Sequence, residues 1–305
     1  MKIFSGTSNQ PLAQKVADSL HITLGKLEII RFDDQECRVR IEEEVEREDV
    51  VFVQSTSNPP DKFLMEAYLF ADSAKRSGAK EITLVMPYFG YARQDKEHRK
   101  GESVSASVVT KCLEVSGFTK LITFDIHSKY VLSFFNKVQT QHESILPDIV
   151  RQVVADYKLD LSNLGIFSPD QDGAHRSRYV IQKIGGGQYG FVQKERDLDQ
   201  LHTLRAIHGQ RHMGEPQGKD IVLIDDMVAS GGTIIEAMKV LKEEGAKRIF
   251  VAATHAVFIR DAFTLMRDPG LEAVYVSDTI DQPELAKDPK FNIHSTASTI
   301  ASMLQ

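Results

Sequence analysis

Cysteine is scarce: Cys37 and Cys112 are the only two among 305 residues. That argues against a disulfide framework and makes a reducing cytoplasm the expected compartment. Long apolar runs are missing as well, and none approaches the ~20 residues that span a bilayer. The opening Met1-Lys2-Ile3-Phe4-Ser5-Gly6 turns polar at once, unlike a secretory signal. Positive charge is in deficit, with 37 Lys+Arg against 43 Asp+Glu and a net charge of −6. No global basic field therefore favours nucleic acid. Flexible Pro/Ser linkers and low-complexity segments are absent. What is present is an ordinary soluble composition, 42% hydrophobic and 26% charged. The length predicts two domains rather than one.

Short apolar runs alternate with helical patterns. Strands are expected over Leu27–Phe32, Val50–Gln54, Ile82–Met86, Leu121–Phe124, Leu164–Phe167, Ile221–Ile224, Ile249–Ala252 and Ala273–Val276. Helices are expected over Pro11–Leu20, Lys62–Arg76, Ser105–Val115, Ser144–Asp156 and Ile234–Glu244. This order predicts crossover units and parallel sheets in an α/β fold. A helix-to-strand turn, Gly78-Ala79-Lys80, recurs as Gly245-Ala246-Lys247, a weak echo of two related halves. We place the boundary at Glu143–Ser144, giving domains 1–143 and 144–305.

Residues 221–233, IVLIDDMVASGGT, are the most informative stretch. Ile221 to Ile224 are branched aliphatics, the mark of a strand buried on both faces. Asp225 and Asp226 follow, then Ala229-Ser230-Gly231-Gly232-Thr233. Thr233 and Glu236 have capping-box spacing, which predicts a helix start there. Loop amides and a helix N-terminus suit a phosphate. The acidic pair suits ribose hydroxyls or a Mg²⁺-bound sugar. The stretch resembles the phosphoribosyl-pyrophosphate (PRPP) binding loop of type I phosphoribosyltransferases and their relatives.

In the first half, Pro87-Tyr88-Phe89-Gly90-Tyr91-Ala92-Arg93-Gln94-Asp95-Lys96-Glu97-His98-Arg99-Lys100 places aromatics before a basic run. Tyr and Phe can wall an adenine, and Arg93, Lys96 and Arg99 can neutralise a polyphosphate. Asp34 and Glu36 can accept from an adenine amino group; equally, they can be a polar turn. His127 follows a strand, two residues after Asp125, and can bind a metal or touch a polyphosphate; a structural role is the competing reading. Asp170 follows Ser168-Pro169 at another strand end, and its carboxylate suits Mg²⁺. Lys194 and Arg196 would project the same way from an extended segment and could clamp a migrating phosphoryl group; two surface cations are the plainer alternative. Residues 197–218 are polar and His/Gly-rich, suited to a flexible closing loop. His202, His208 and His212 within it read as solvated, since no acid or cysteine joins them at metal spacing.

The run Tyr88–Asp95 resembles the most characteristic motif of the ribose-phosphate pyrophosphokinases. Phe4-Ser5-Gly6-Thr7-Ser8-Asn9, Arg31-Phe32-Asp33-Asp34-Gln35-Glu36, Gln54-Ser55-Thr56-Ser57, Asp125-Ile126-His127-Ser128, Ser168-Pro169-Asp170 and Lys194-Glu195-Arg196 are similar to further family motifs, in the same order. The resemblance implies two phosphoribosyltransferase-type domains, each a mainly parallel sheet flanked by helices. The first half would bind ATP and the second ribose 5-phosphate, giving PRPP and AMP. It implies ATP contacts from Phe32, Asp34, Gln35, Glu36, Arg93, Gln94, Asp95 and Arg99. It implies sugar-phosphate contacts from Asp225, Asp226, Ala229, Ser230, Gly231, Gly232 and Thr233. Lys194 and Arg196 would be catalytic, and His127 and Asp170 would hold Mg²⁺. The family also implies a homo-oligomer built on dimers, often a hexamer, with ATP sites completed by a neighbour. A PRPP-consuming phosphoribosyltransferase and a silent regulatory homologue are the alternatives. Two departures stand out. Ala229 occupies a position usually held by an acid. The stretch after Ser-Pro-Asp, Gln171-Asp172-Gly173-Ala174-His175-Arg176-Ser177-Arg178, is less basic than usual and has one glycine.

Overall fold

The computed structural model describes residues 1–195, 203–207 and 216–305. Within these the chain divides into two compact units. The first comprises Met1–Glu143 with Asp278–Asp281 and Ser295–Gln305; the second comprises Ser144–Ser277 with Gln282–His294. The two units interleave in sequence, whereas the expected second domain ran unbroken over 144–305.

The first unit runs β1 (Lys2–Ser5), α1 (Gln10–Ser19), β2 (Leu27–Arg31), β3 (Cys37–Ile41), β4 (Asp49–Val53), α2 (Pro60–Arg76), β5 (Glu81–Val85), α3 (Ser105–Ser116), β6 (Lys120–Phe124) and β7 (Gln139–Glu143). Strands β1-β4-β5-β6-β7 form one sheet in that order, with every neighbour parallel. β2 and β3 form a separate antiparallel hairpin. The sequence explains the layering. Val50 to Val53 are buried, as expected for a strand covered on both faces. α2 begins with Pro60, whose missing N–H costs nothing in a first turn; Asp61 there, and Lys75 and Arg76 at the end, are favourable to the helix dipole. Its Phe70 stacks on Phe52 of β4, ring centroids 4.2 Å apart, so helix and sheet share one core.

The second unit runs α4 (Leu146–Tyr157), β8 (Leu164–Ser168), α5 (Ala174–Ile184), β9 (Gln188–Glu195), β10 (Thr203–Ile207), β11 (Asp220–Val228), α6 (Gly232–Glu243), β12 (Arg248–Ala256), α7 (Ala262–Leu265), β13 (Val274–Ser277) and β14 (Phe291–His294). The sheet order is β10-β9-β8-β11-β12-β13-β14, parallel except for the β9–β10 pair. The chain winds outward from β8 through β9 to β10, then returns to place β11 beside β8. That reversal is a topological switch point, where ligands bind at the carboxyl ends of strands. α8 (Ala297–Leu304) belongs to the first unit and packs on α1.

The repeated Gly-Ala-Lys turn has the same geometry in both units. Ala79 N donates to Ala74 O at 3.1 Å, and Ala246 N to Leu241 O at 2.9 Å. The next amides, Lys80 N and Lys247 N, each donate at 2.8 Å to the residue leading into the adjoining strand, Glu48 and Lys219.

Two local expectations are corrected. β11 extends through Val228 instead of stopping at Ile224, so Asp225 and Asp226 lie within the strand. Its ladder continues because β12 is equally long, pairing Met227 with His255 and Val228 with Ala256. The second concerns α6, which starts before Thr233. Gly231 is its N-cap at φ +80°, without a side-chain cap hydrogen bond, so the expected Thr233–Glu236 capping box does not set the start. Glycine tolerates that left-handed backbone without penalty. Of the segment 197–218 expected as a loop, 203–207 form β10; 196–202 and 208–215, including His202, His208 and His212, lie outside the described residues.

Candidate functional site

In the second unit the switch point is flanked by the Ser168–Asp170 turn after β8 and the acidic end of β11. Asp170 is exposed, its Oδ1 accepting from Gly173 N at 2.9 Å. Asp225 and Asp226 share one cation. Arg176, at the start of α5, reaches Asp225 Oδ1 at 3.4 Å and Asp226 Oδ1 at 3.1 Å. The Asp226 amide donates to Asp225 Oδ1 at 2.9 Å. Burial, reinforced by the Asp226 carboxylate, pushes the Asp225 carboxyl well above the usual carboxylate range; Arg176 opposes this and Asp170 adds to it. The Asp225 side chain keeps 22% of its surface exposed, so water relieves part of the cost. Sequence reasoning gives Arg176 no role. Its spacing from Asp170 gives no hint of acids 49 residues on.

Beyond β11 the loop is pinned from one side. Phe258 N donates to Val228 O at 3.0 Å and Ile259 N to Ala229 O at 3.1 Å. Gly231 is buried, while Ser230 and Thr233 are exposed at the N-terminus of the 12-residue α6. Exposed hydroxyls at the positive end of a helix are an arrangement that suits an anion.

Asp225 sets a stability prediction. Its carboxyl holds a proton to higher pH in the folded chain than in the unfolded one. Its favourable share of stability is present below the ordinary carboxylate pKa of ~3.9 and is lost as pH rises toward the raised folded value. In metal-free buffer, Asp225→Asn should therefore raise Tm at pH 7 by a few degrees, roughly the gain from removing one unfavourable buried charge. The gain should vanish near pH 4. Thermal unfolding across pH is the measurement; equal Tm values at pH 7 would mean that Arg176 already cancels the cost.

In the first unit the five-stranded sheet is all parallel, so the turns after β1, β4, β5 and β6 lie along one edge of it. The hairpin loop carries exposed Phe32, with Arg38 Cζ 5.8 Å from its ring centroid. Phe32 N donates to Glu36 O at 3.0 Å, Glu36 N donates to Asp34 Oδ1 at 3.0 Å, and Gln35 adopts φ +73°. Beside it is a cavity of about 500 Å³ lined by Arg31, Gln35, Glu36, Cys37, Asp61, Lys62, Met65 and Leu69. Arg93 and Arg99 are exposed. Gln94 is anchored, its Oε1 accepting from Ser105 Oγ at 2.6 Å and its carbonyl from Ala106 N at 3.2 Å. Asp95 is half-buried. Among the described residues no hydrogen bond joins the 32–36 loop to the 93–99 run. His127 is exposed just past β6, after Asp125, which has a left-handed φ of +33°.

Lys194 is in β9, its backbone paired with Leu204 of β10; Arg196 lies outside the described residues. No group of three or more His, Cys, Asp or Glu that could hold a metal occurs among the described residues. Asp170, Asp225 and Asp226 nevertheless offer hard oxygen donors, the chemistry that suits a Mg²⁺ ion which keeps waters and phosphate oxygens in its shell. No helix among the described residues is long and apolar enough to cross a membrane.

Two α/β units, one with an acidic strand end and a glycine-led helix start at its switch point, define a fold of phosphoribosyltransferase type. The N-terminal domain model of ribose phosphate pyrophosphokinase matches residues 1–117, and the phosphoribosyl transferase domain model matches 140–263. The curated ribose-phosphate pyrophosphokinase of Fusobacterium nucleatum is 34% identical, over 100% of this chain and 94% of that one. Its counterpart from Vibrio cholerae is 35% identical, over 100% of this chain and 93% of that one. The crystal structure of phosphoribosylpyrophosphate synthetase from Mycobacterium smegmatis superposes with a TM-score of 0.90 at 29% identity, covering 99% of this chain and 97% of that one. The chain belongs to the ribose-phosphate pyrophosphokinase family.

Proposed function

We propose that the protein transfers the β,γ-diphosphoryl group of ATP to the C1 hydroxyl of ribose 5-phosphate, giving PRPP and AMP. Family membership along the full chain carries this reading. The C1 oxygen attacks the β-phosphorus, and the bond to the oxygen of AMP breaks. Neither a PRPP-consuming transferase nor a silent regulatory homologue finds support in the relatives. Purified protein, Mg²⁺, ATP and ribose 5-phosphate, with AMP release followed, test the proposal directly; no AMP would end it.

The division of labour is as follows. The amides and hydroxyls of Ser230–Thr233 hold the sugar 5-phosphate at the α6 N-terminus. Asp225 and Asp226 accept from ribose hydroxyls. Ala229 offers no side-chain acceptor, so one contact to the ribose ring or a bound water is missing. Phe32, Asp34, Gln35 and Glu36 meet the adenine, and Arg93, Gln94, Asp95 and Arg99 complete the nucleotide site. Lys194 and Arg196 stabilise charge on the migrating group, and catalysis is mostly positioning and electrostatics. His127 and Asp170 would hold Mg²⁺, which when bound lowers the repulsion between polyphosphate and attacking hydroxyl.

The family resemblance supports a homo-oligomer, dimer-based and expected to be hexameric, in which a neighbour completes each ATP site. Sedimentation measures this. The free thiols Cys37 and Cys112 are consistent with a cytoplasmic enzyme.

Arg93→Ala should weaken ATP, measured without ribose 5-phosphate, by about 1.5–3 kcal/mol, the range for a charge-assisted hydrogen bond. Unchanged ATP affinity would remove Arg93 from the site.

A further inference from the structure

The Gln54-Ser55-Thr56 run has no part in the chemistry above, yet all three side chains are fully buried. They leave the carboxyl end of β4, which lies between β1 and β5 in the sheet. Gln54 ties the β1 side. Its Oε1 accepts from Ser8 N at 3.2 Å and Ser8 Oγ at 2.8 Å, and its Nε2 donates to the buried Glu66 carboxylate at 2.8 Å. Ser55 and Thr56 tie the β5 side. Tyr88 N donates to Ser55 Oγ at 3.3 Å, Thr56 N donates to Tyr88 O at 3.0 Å, and Gly90 N donates to Thr56 Oγ1 at 2.7 Å.

The approach at Gly90 is backbone on backbone. A Cβ there would lie 2.3 Å from the Thr56 carbonyl oxygen, so only glycine fits. The next residue, Tyr91, takes a left-handed φ of +67°, and its hydroxyl is hydrogen-bonded to Asp61. Tyr88, Gly90 and Tyr91 are thus three fixed points just before Arg93. Arg93 is exposed, so its aim depends on the backbone that delivers it.

Ser55 has a second partner. Its hydroxyl donates to the carbonyl of Thr279, in the returning segment Asp278–Asp281 of the same unit. That segment is itself held firmly. The Asp278 carboxylate accepts from Lys15 Nζ at 3.0 Å, Ser295 Oγ at 2.8 Å, Thr296 N at 2.7 Å and Thr296 Oγ1 at 2.9 Å. Its carbonyl accepts from Asn9 Nδ2 at 2.7 Å. The floor under Ser55 is therefore rigid, and the rigidity passes to Tyr88 through one hydroxyl.

We propose that Thr56, supported by Ser55 on Thr279, is the positioning residue for the nucleotide-binding run Tyr88–Asp95. The proposal rests on the assignment of Arg93, Gln94 and Asp95 to ATP. Binding groups are effective when packed hydrogen bonds behind them fix their geometry, and a displacement of about 1 Å can cost two orders of magnitude.

Thr56→Val keeps the shape and removes both the acceptor for Gly90 N and the hydroxyl donor to Tyr88 O at 3.2 Å; Thr56→Ser restores them. We expect Thr56→Val to raise the ATP Kd and KM about tenfold, as the two hydrogen bonds of its hydroxyl to the run are lost. The KM for ribose 5-phosphate should stay within about twofold, and Thr56→Ser should recover ATP affinity to within about twofold. A merely structural role would lower the active fraction, and so the apparent kcat, with KM for ATP unmoved, and that pattern overturns the proposal. So does an equal rise in both KM values. Should Thr56→Val fail to fold, Ser55→Ala carries the test through the Tyr88 amide, with a loss of about three- to fivefold in ATP affinity expected; unchanged affinity in that variant overturns the proposal equally. Arg93→Ala, measured alongside, separates the two levels. If it leaves ATP binding intact, the site assignment fails and the proposal with it. If it weakens ATP while Thr56→Val does not, the positioning role alone fails.

Discussion

Lys194→Ala is expected to lower kcat by about 10²–10³ while leaving both KM values within a few-fold. The size is that of removing one preorganised charge donor aimed at developing negative charge. The asymmetry follows from when the charge is needed. The diphosphoryl group is most in want of a cation while it is in flight, so the lost interaction belongs to the transition state more than to the ground state. Lys194 is on β9, beside Leu204 of β10, so its backbone is held by a strand pair. The substitution keeps the backbone hydrogen bonds and should preserve the fold. Steady-state kinetics in both substrates, with circular dichroism as the folding control, measure it. A kcat within threefold of wild type would take Lys194 out of the mechanism.

Elements whose signal is local were legible. Ile221–Ile224 announced a buried parallel strand, and the Gly78 and Gly245 stops marked helix ends that the structure also has. Motif positions at strand ends were legible for the same reason: a branched aliphatic run followed by polar residues points to the carboxyl edge of a sheet. Elements with mixed patterns were missed. β7, Gln139–Glu143, is an edge strand of polar residues that pairs with a neighbour on one side alone, so no apolar run betrays it. α5 is mostly polar, burying Ser177 and Val180 with little else. β10 is found in a stretch whose composition reads as loop.

Long-range pairings could not be read at all. Nothing local shows that α8 packs on α1, or that Asp278 joins Lys15 across 263 residues. Consequently the expected domain at 144–305 missed the return of two C-terminal segments to the first unit. In the site, residue types were readable and their partners were not. Asp225 and Asp226 were picked out as acids next to a glycine loop, but Arg176 between them is a tertiary fact. Ser55 and Thr56 formed a recognisable motif whose contacts with Tyr88 and Gly90 only the strand order supplies.

Replacing Asp225 and Asp226 together with Asn should raise KM for ribose 5-phosphate by about 10²-fold and leave ATP binding nearly unchanged. Two charge-assisted hydrogen bonds, each worth about 1.5–3 kcal/mol, would give between 10² and 10⁴ if they were independent. They are not independent. Both acids share Arg176, at 3.4 and 3.1 Å, so removing one already changes the other's surroundings. Asn also keeps one acceptor oxygen and nearly the same shape, which limits the loss to the charge. Both points favour the lower end of the range. Stability works in the opposite direction for Asp225, whose buried carboxyl is unfavourable in the folded chain. The double variant should therefore not owe its weak sugar binding to unfolding, and a Tm at or above wild type in metal-free buffer would confirm it. Arg176 would be left facing two neutral amides, and Arg176→Met in the same background serves as control for that stranded charge. Isothermal titration with each substrate separately decides the matter. If ATP affinity fell while that for ribose 5-phosphate held, the acidic pair would belong to the nucleotide, and the assignment of the two units would be reversed.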